Sequence, residues 1–452
     1  MENNIEKLLE KWNLLIEESN TIKENIRKEL ENNVRKQNTT SSVKWVGLFI
    51  LGLLFGISFL TYAYTINEHN EKENNKKIEQ FNENKTFDIA NKIVEPLNNQ
   101  TISDNKTKNI TFKNTYLKSS YSLLTQEEVN NHFTSYTTVI YPIRVKLERF
   151  LQDVEGQITE QGKIRLVSSG GMYIYRNGER ISETKNNEEY SFLQEEVNTN
   201  KYTFIAKNIY NPIEILTAKR FPKYLTDEKK QKENNANKFR GILEFVYNET
   251  TKSVDIINEL DIEQYIRGIG ESASWTAFEK MKMQSILARS YAYFYMYSGF
   301  KKFKDADYIL TDSPANSQKY MGAGVTNGEN WQKAAKETIG EILVDKNGDL
   351  FIAPYSTCSY KQADGKVRRK TLSEAGWSEE KLTIDGVVKL KFGKDVLQPV
   401  DDTFGECKEK QSGGHGVGLS GNGAEHMASK LGKKALEIIQ YYYQGVSIKN
   451  IF

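Results

Sequence analysis

Five glycines at 413, 414, 416, 418 and 421 surround one imidazole, His415. Glycine lets backbone amides approach a ligand closely, so the run suits recognition through the main chain. His415 then either touches the ligand or supports the turn. Gly416, Gly418 and Gly421 spell G-x-G-x-x-G, but a polar KEKQSGG stretch precedes them where a dinucleotide-binding turn needs an apolar strand. That reading fails. The two cysteines, Cys358 and Cys407, offer a disulfide, a zinc site completed by His415 or His426, or two free thiols; their spacing matches no common zinc pattern. Glu271 stands in a loop just ahead of a helical pattern, where a carboxylate ordinarily caps the helix or faces water.

These residues need elements to hold them. The stretch TAFEKMKMQSILARSYAYFYMYSG has no proline and no internal glycine, which predicts a long helix. Thr276 with Glu279 reads as a capping box, and Gly299 as the stop. Ala277, Met281, Ala288, Tyr291, Ala292 and Tyr295 fall on one face, predicting a buried stripe. Shorter helices are expected around 330–340 and 424–443, with strands at EILVD and DLFIAPYS. Upstream, TTVIYPIRVKL, KIRLVSSGGMYIYRNG, KYTFIAKN and RGILEFVYN carry β-branched and aromatic residues between turn residues. RGILEFVYN and SVDIINEL should form a hairpin, and the polar run 225–238 a surface loop. Strands and helices are segregated, so the expected class is α+β.

The start of the chain is of another kind. VGLFILGLLFGISFLTYAY, residues 46–64, carries no charge and would span roughly 28 Å as a helix, close to the thickness of a bilayer core. Arg35, Lys36 and Lys44 precede it and Glu68, Glu71 and Glu73 follow, which orients the N-terminus to the cytoplasm. Residues 1–44 are then a cytoplasmic helical segment, either a coiled coil or a lone amphipathic helix, and 45–65 a transmembrane helix. Residues 66–111, rich in Asn, Lys and Glu, read as a flexible extracytoplasmic spacer, and 112–238 as a β-rich module. With 62 basic and 60 acidic side chains the net charge is +2, which excludes a dedicated nucleic-acid binder.

Five ordered elements carry a resemblance. FRGILEF (239–245) with INELDIEQYIRGIGESASW (257–275), ARSYAYFY (288–295), Gln318 to Gly322, Ala353 to Ser356, and GHGVGLSGNGAEHMA (414–428) together resemble the SpoIID/LytB family, named for stage II sporulation protein D. Departures occur where Glu271–Ser272–Ala273 replaces Glu-Met-Pro, where Ser420–Gly421 replaces Ser-Gln, and at Thr357–Cys358–Ser359–Tyr360. The likeness makes 239–452 a SpoIID-like catalytic domain.

The resemblance implies a metal-independent, cofactor-free peptidoglycan lytic transglycosylase acting in wall remodelling, division or sporulation, with zinc a lesser alternative. Glu271 matches the family's catalytic acid. One carboxylate suffices when the C6 hydroxyl of muramic acid is the nucleophile, because it is already tethered to the sugar. The helix N-terminus should lower the pKa of Glu271, and burial beside Trp275 should raise it. Arg289, Gln318, Tyr320, Tyr355, Ser356, His415 and Ser420 are the expected substrate-binding residues. Arg289 lies roughly 20 Å along an ideal helix from Thr276 and has a structural salt bridge as its alternative; the tyrosines have core packing as theirs. Expected partners are glycan strands, the membrane through one N-terminal helix, and an amidase or other wall machinery. The LytB branch implies a rival reading, a non-catalytic wall binder that stimulates an amidase. A third is an assembly factor whose cytoplasmic helix recruits a partner.

Overall fold

Strands that divide two environments show alternating side chains. In Tyr202–Ala206 the side chains of Tyr202, Phe204 and Ala206 enter the main core, while Ile205 joins a smaller cluster with Tyr121, Phe133 and Ile140. Ile242–Asn248 does the same: Leu243 and Phe245 face the main core and Ile242 the smaller one. The computed structural model describes residues 110–113, 115–133, 139–148, 162–218, 220, 235–273, 275–323, 328–393, 395–408 and 414–452. The expected cytoplasmic segment and membrane span lie outside these residues, as does the spacer apart from its end. Among the described residues no helix is long and apolar enough to cross a membrane.

The fold is α+β. Its seven-stranded sheet runs in the order Leu310–Thr311, Pro142–Lys146, Ser253–Asp261, Ile242–Asn248, Tyr202–Ala206, Met172–Arg176 and Glu179–Glu183. Neighbours are antiparallel except Leu310–Thr311 with Pro142–Lys146. A four-stranded sheet orders Lys238–Phe239, Ile213–Ile215, Lys163–Ser168 and Glu189–Leu193. The expected hairpin of Ile242–Asn248 with Ser253–Asp261 is present and central. Strands from both sides of the expected 238/239 division hydrogen-bond in one sheet. The described residues fall in one compact unit. The sequence reading also missed Glu179–Glu183, Glu189–Leu193 and Ile213–Ile215, which lack long β-branched runs.

Within the sheet, Arg144 donates to Glu259 at 2.7 Å and to Glu244 at 2.5 Å, and the hydroxyls of Ser119 and Ser120 bond the same two carboxylates. Buried acids need such partners.

The long helix spans Phe278–Tyr297 and ends at Ser298, with Gly299 in the left-handed region at φ +86°. Two expectations are corrected here. Thr276 forms no capping box; the cap residue is Ala277, whose N–H donates to both carboxylate oxygens of Glu425 at 3.3 and 3.2 Å. Nor is the helix buried along one stripe. Met283, Gln284, Ile286, Leu287 and Phe294 are buried as well, because it packs against Ile262–Arg267, Glu329–Glu337, Glu341–Val344, Gly421–Ser429 and Ala435–Tyr442. In DLFIAPYS only Tyr355–Ser356 is strand, pairing in parallel with Leu419–Ser420. Phe351, Ile352 and Ala353 are buried without a ladder.

Candidate active site

The helix Ile262–Arg267 starts at Asp261, whose side chain accepts from the Glu263 N–H at 3.0 Å, and stops at Gly268. The chain then runs beside the segment that carries Gln318 and Tyr320. Ile269 bridges Tyr320, Gly270 N–H donates to Lys319 O at 2.7 Å, and Met321 N–H donates to Gly268 O at 2.8 Å. A Cβ on Gly268 would fall 2.5 Å from the Tyr320 ring, so only glycine permits this approach. The partner segment is itself pinned by buried Arg220, which bonds Asp312 and donates to Tyr320 O at 2.8 Å.

Glu271 leaves this bridge half-buried. Its Oε1 accepts from Lys319 N–H at 3.0 Å; its Oε2 accepts from Gln284 Nε2 at 3.2 Å and from the Tyr355 hydroxyl. Burial raises its pKa above the usual carboxylate value, opposed by those three donors and by the charge of Lys319. Trp275 is not the source of that burial, since it is 79% exposed. The helix N-terminus does not bear on Glu271 through a hydrogen bond either, because Glu425 takes the Ala277 N–H. The loop does fold back along the helix, but it reaches Gln284 and stops short of Arg289.

A chain of hydrogen bonds continues from Tyr355. Gln318 Nε2 donates to its hydroxyl at 3.0 Å, and Gln318 Oε1 accepts from Tyr265 at 2.9 Å. Tyr265 stacks on Tyr320 at 5.1 Å between ring centroids, and Tyr320 donates to Asn258 at 2.7 Å. Tyr355 is held from behind by the glycine run. His415 Nδ1 accepts from Val417 N–H at 3.1 Å, which leaves Nε2 to donate to Tyr355 O at 2.9 Å. Burial first, then Arg369, brings the His415 pKa down to about 4, so the ring is neutral. At Gly418, φ is +68° and a Cβ would lie 2.0 Å from Pro354 O.

Beneath these two segments lies Arg369, fully buried. Its guanidinium donates to Gly418 O at 2.7 Å, Leu419 O at 3.0 Å, Val417 O at 3.1 Å and Cys358 O at 3.0 Å. The Ser356 hydroxyl at 2.7 Å and the Ser359 hydroxyl at 2.8 Å complete the set. Ser359 in turn donates to Asp402 at 2.5 Å. Cys358 and Cys407 are joined in a disulfide. Both sulfurs and both nitrogens of His415 are thus engaged.

Of the residues expected to line a groove, only Glu271, Tyr355, Ser356 and His415 are partly exposed. Gln318 and Tyr320 are buried and position the carboxylate and its tyrosine. Ser420 is buried as the cap of Gly421–Ser429, accepting from Gly423 N–H at 3.1 Å. Arg289 is corrected to its structural alternative, with Nε and Nη2 each 2.7 Å from buried Glu263. Sequence reasoning missed Gln284, Arg369 and Trp377, the last 4.7 Å from His415 between ring centroids. A polar Gln284 inside a run of apolar helix residues was a usable signal; Arg369, in a basic polar stretch, had none.

Residues 250–344 match the model of the family SpoIID, stage II sporulation protein. Over that stretch the chain is similar to the SpoIID family. SpoIID domains are associated with sporulation and with cell-wall lytic activity. The matched residues include Glu271, Gln284, Arg289, Gln318 and Tyr320, while Tyr355, Arg369 and the glycine run lie beyond them. No curated protein matches the chain.

Proposed function

We propose that this protein is a peptidoglycan lytic transglycosylase with Glu271 as its acid and base. The observation that carries the reading is a half-buried carboxyl within the SpoIID-matched stretch, its pKa raised by burial, set on a hydrogen-bonded frame. Protonated Glu271 gives its proton to the glycosidic oxygen as that bond to C1 of the muramic unit breaks. The muramic C6 oxygen forms the new bond to C1, and the Glu271 carboxylate takes the C6 hydroxyl proton. One strand then ends in a 1,6-anhydro sugar, the other in a free C4 hydroxyl, and no water is consumed. Tyr355, Gln284 and the Lys319 amide stabilise the carboxylate present between the two transfers. The uncharged run 46–64 further suggests that a membrane helix tethers this domain on the outer face.

The test uses full-length protein in detergent, wild type and Glu271→Gln, with intact strands and strands stripped of stem peptides, products being read by mass spectrometry. Anhydromuramic ends from the wild type alone support the reading. Reducing ends would mean hydrolysis. Binding without cleavage would replace the enzyme with a wall-binding stimulator of an amidase.

A further inference from the structure

After Gly299 the chain turns and lays Lys302 against the last turns of the long helix. Its Nζ donates to the Tyr291 hydroxyl at 2.9 Å and stands 5.5 and 5.3 Å from the ring centroids of Tyr291 and Tyr295. Those rings meet edge to face at 5.1 Å. Among the described residues no carboxylate forms an ion pair with Lys302, although it is half-buried. The neighbouring charge is a second ammonium, Lys391, which Glu380 already neutralises at 2.8 Å. Aromatic faces attract a cation but leave its charge uncompensated, and a desolvated ammonium is ordinarily offset by an anion. Burial, with Lys391 adding, brings Lys302 down to about 8, so it remains charged at neutral pH.

Tyr291 lies about two turns along the long helix from Gln284, the residue that donates to Glu271 at 3.2 Å. Its phenol is kept protonated chiefly by burial, with Tyr295 and then the charge of Glu271 contributing. The ammonium and the candidate acid thus both meet side chains of the long helix, at Tyr291 and at Gln284. On the far side, the hairpin Lys381–Ile384/Val387–Leu390 approaches the same corner, its Ile384 and Leu382 packing over Gly299.

We propose that Lys302 forms a carboxylate-recognition subsite beside Glu271, taking an anionic carboxylate carried by the glycan strand near the bond to be cleaved. The inference rests on the reading of Glu271 as the centre of a glycan site. A glycan of alternating N-acetylated sugars offers such a charge at the muramic unit. There the lactyl ether ends in a free carboxylate when the strand is stripped, or continues into a stem peptide that carries its own carboxylates.

Binding is measured with the full-length Glu271→Gln protein, with and without Lys302→Met and Lys302→Arg. The probes are stripped strands, intact strands and a neutral β-1,4-linked N-acetylglucosamine oligomer of equal length. Lys302→Met should weaken binding of a carboxylate-bearing strand about tenfold, spare the neutral oligomer, and be rescued by Lys302→Arg. A loss confined to stripped strands assigns the lactyl carboxylate, and one confined to intact strands assigns the peptide. Equal affinity throughout, or an equal loss on the neutral oligomer, overturns the subsite. Should Lys302→Met not fold, Lys302→Gln keeps a donor to Tyr291 and reads the same contrast. Cleavage by the wild type with binding indifferent to Lys302 refutes the subsite alone. Absence of cleavage with Lys302-dependent binding refutes the reaction alone.

Discussion

Tyr355 donates its hydroxyl hydrogen to Glu271 across 84 residues of chain. That bond joins the SpoIID-matched loop to the glycine-backed strand outside the match. Tyr355→Phe removes a donor that favours the ionised carboxyl, so the Glu271 pKa should rise further. An acid that must start protonated then stays competent to higher pH. We expect the alkaline limb of the cleavage profile to move upward while the maximal rate drops about tenfold, from lost positioning. A profile that keeps its limb would mean that Tyr355 does not act on the titrating group.

Glu271 also shapes stability. A carboxyl raised above its ordinary 4.5 holds more protons folded than unfolded, so its contribution is fully present below 4.5 and is lost as pH rises through the folded pKa. Relative to wild type, Glu271→Gln should therefore gain melting temperature between pH 4 and pH 8. Thermal melts of both proteins across that range check the sign; a difference that shrinks with rising pH contradicts a raised pKa.

Arg369 holds the two site segments together through backbone carbonyls, which a shorter, single-headed cation does not span. Arg369→Lys should cost about 3 kcal/mol, because several buried acceptors lose their donor. Denaturant midpoints measure this. Cleavage should fall in parallel, since Tyr355 and the glycine run lose their common support. Wild-type stability in the variant would show that water takes over the carbonyls.

The Cys358–Cys407 disulfide closes 49 residues that contain Arg369 and Trp377. The chain-entropy account gives about 4 kcal/mol for a loop of that size. Melts with and without reductant should separate accordingly, and alkylation before and after reduction should label no thiols and then both. Labelling of the untreated protein would count against the bond.

Much of this was legible in the residues. Period-two alternation, the proline-free helical run and the glycine at its end depend on local chemistry, so the central hairpin, the long helix and the α+β class could be read directly. Glu271 was found through the resemblance, for nothing local distinguishes it from a capping carboxylate. The uncharged run 46–64 is likewise a local signal, and it lies outside the described residues. What needed the tertiary structure was partnership. Arg289 and Glu263, Glu271 and Gln284, Arg369 and the glycine carbonyls all meet through chain reversals that no spacing announces. Trp275 points to water although Thr276 beside it is buried, a contrast that its large apolar side chain does not announce. Burial and hydrogen bonding set both the pKa of Glu271 and the roles of its neighbours, and these arise only when distant segments pack.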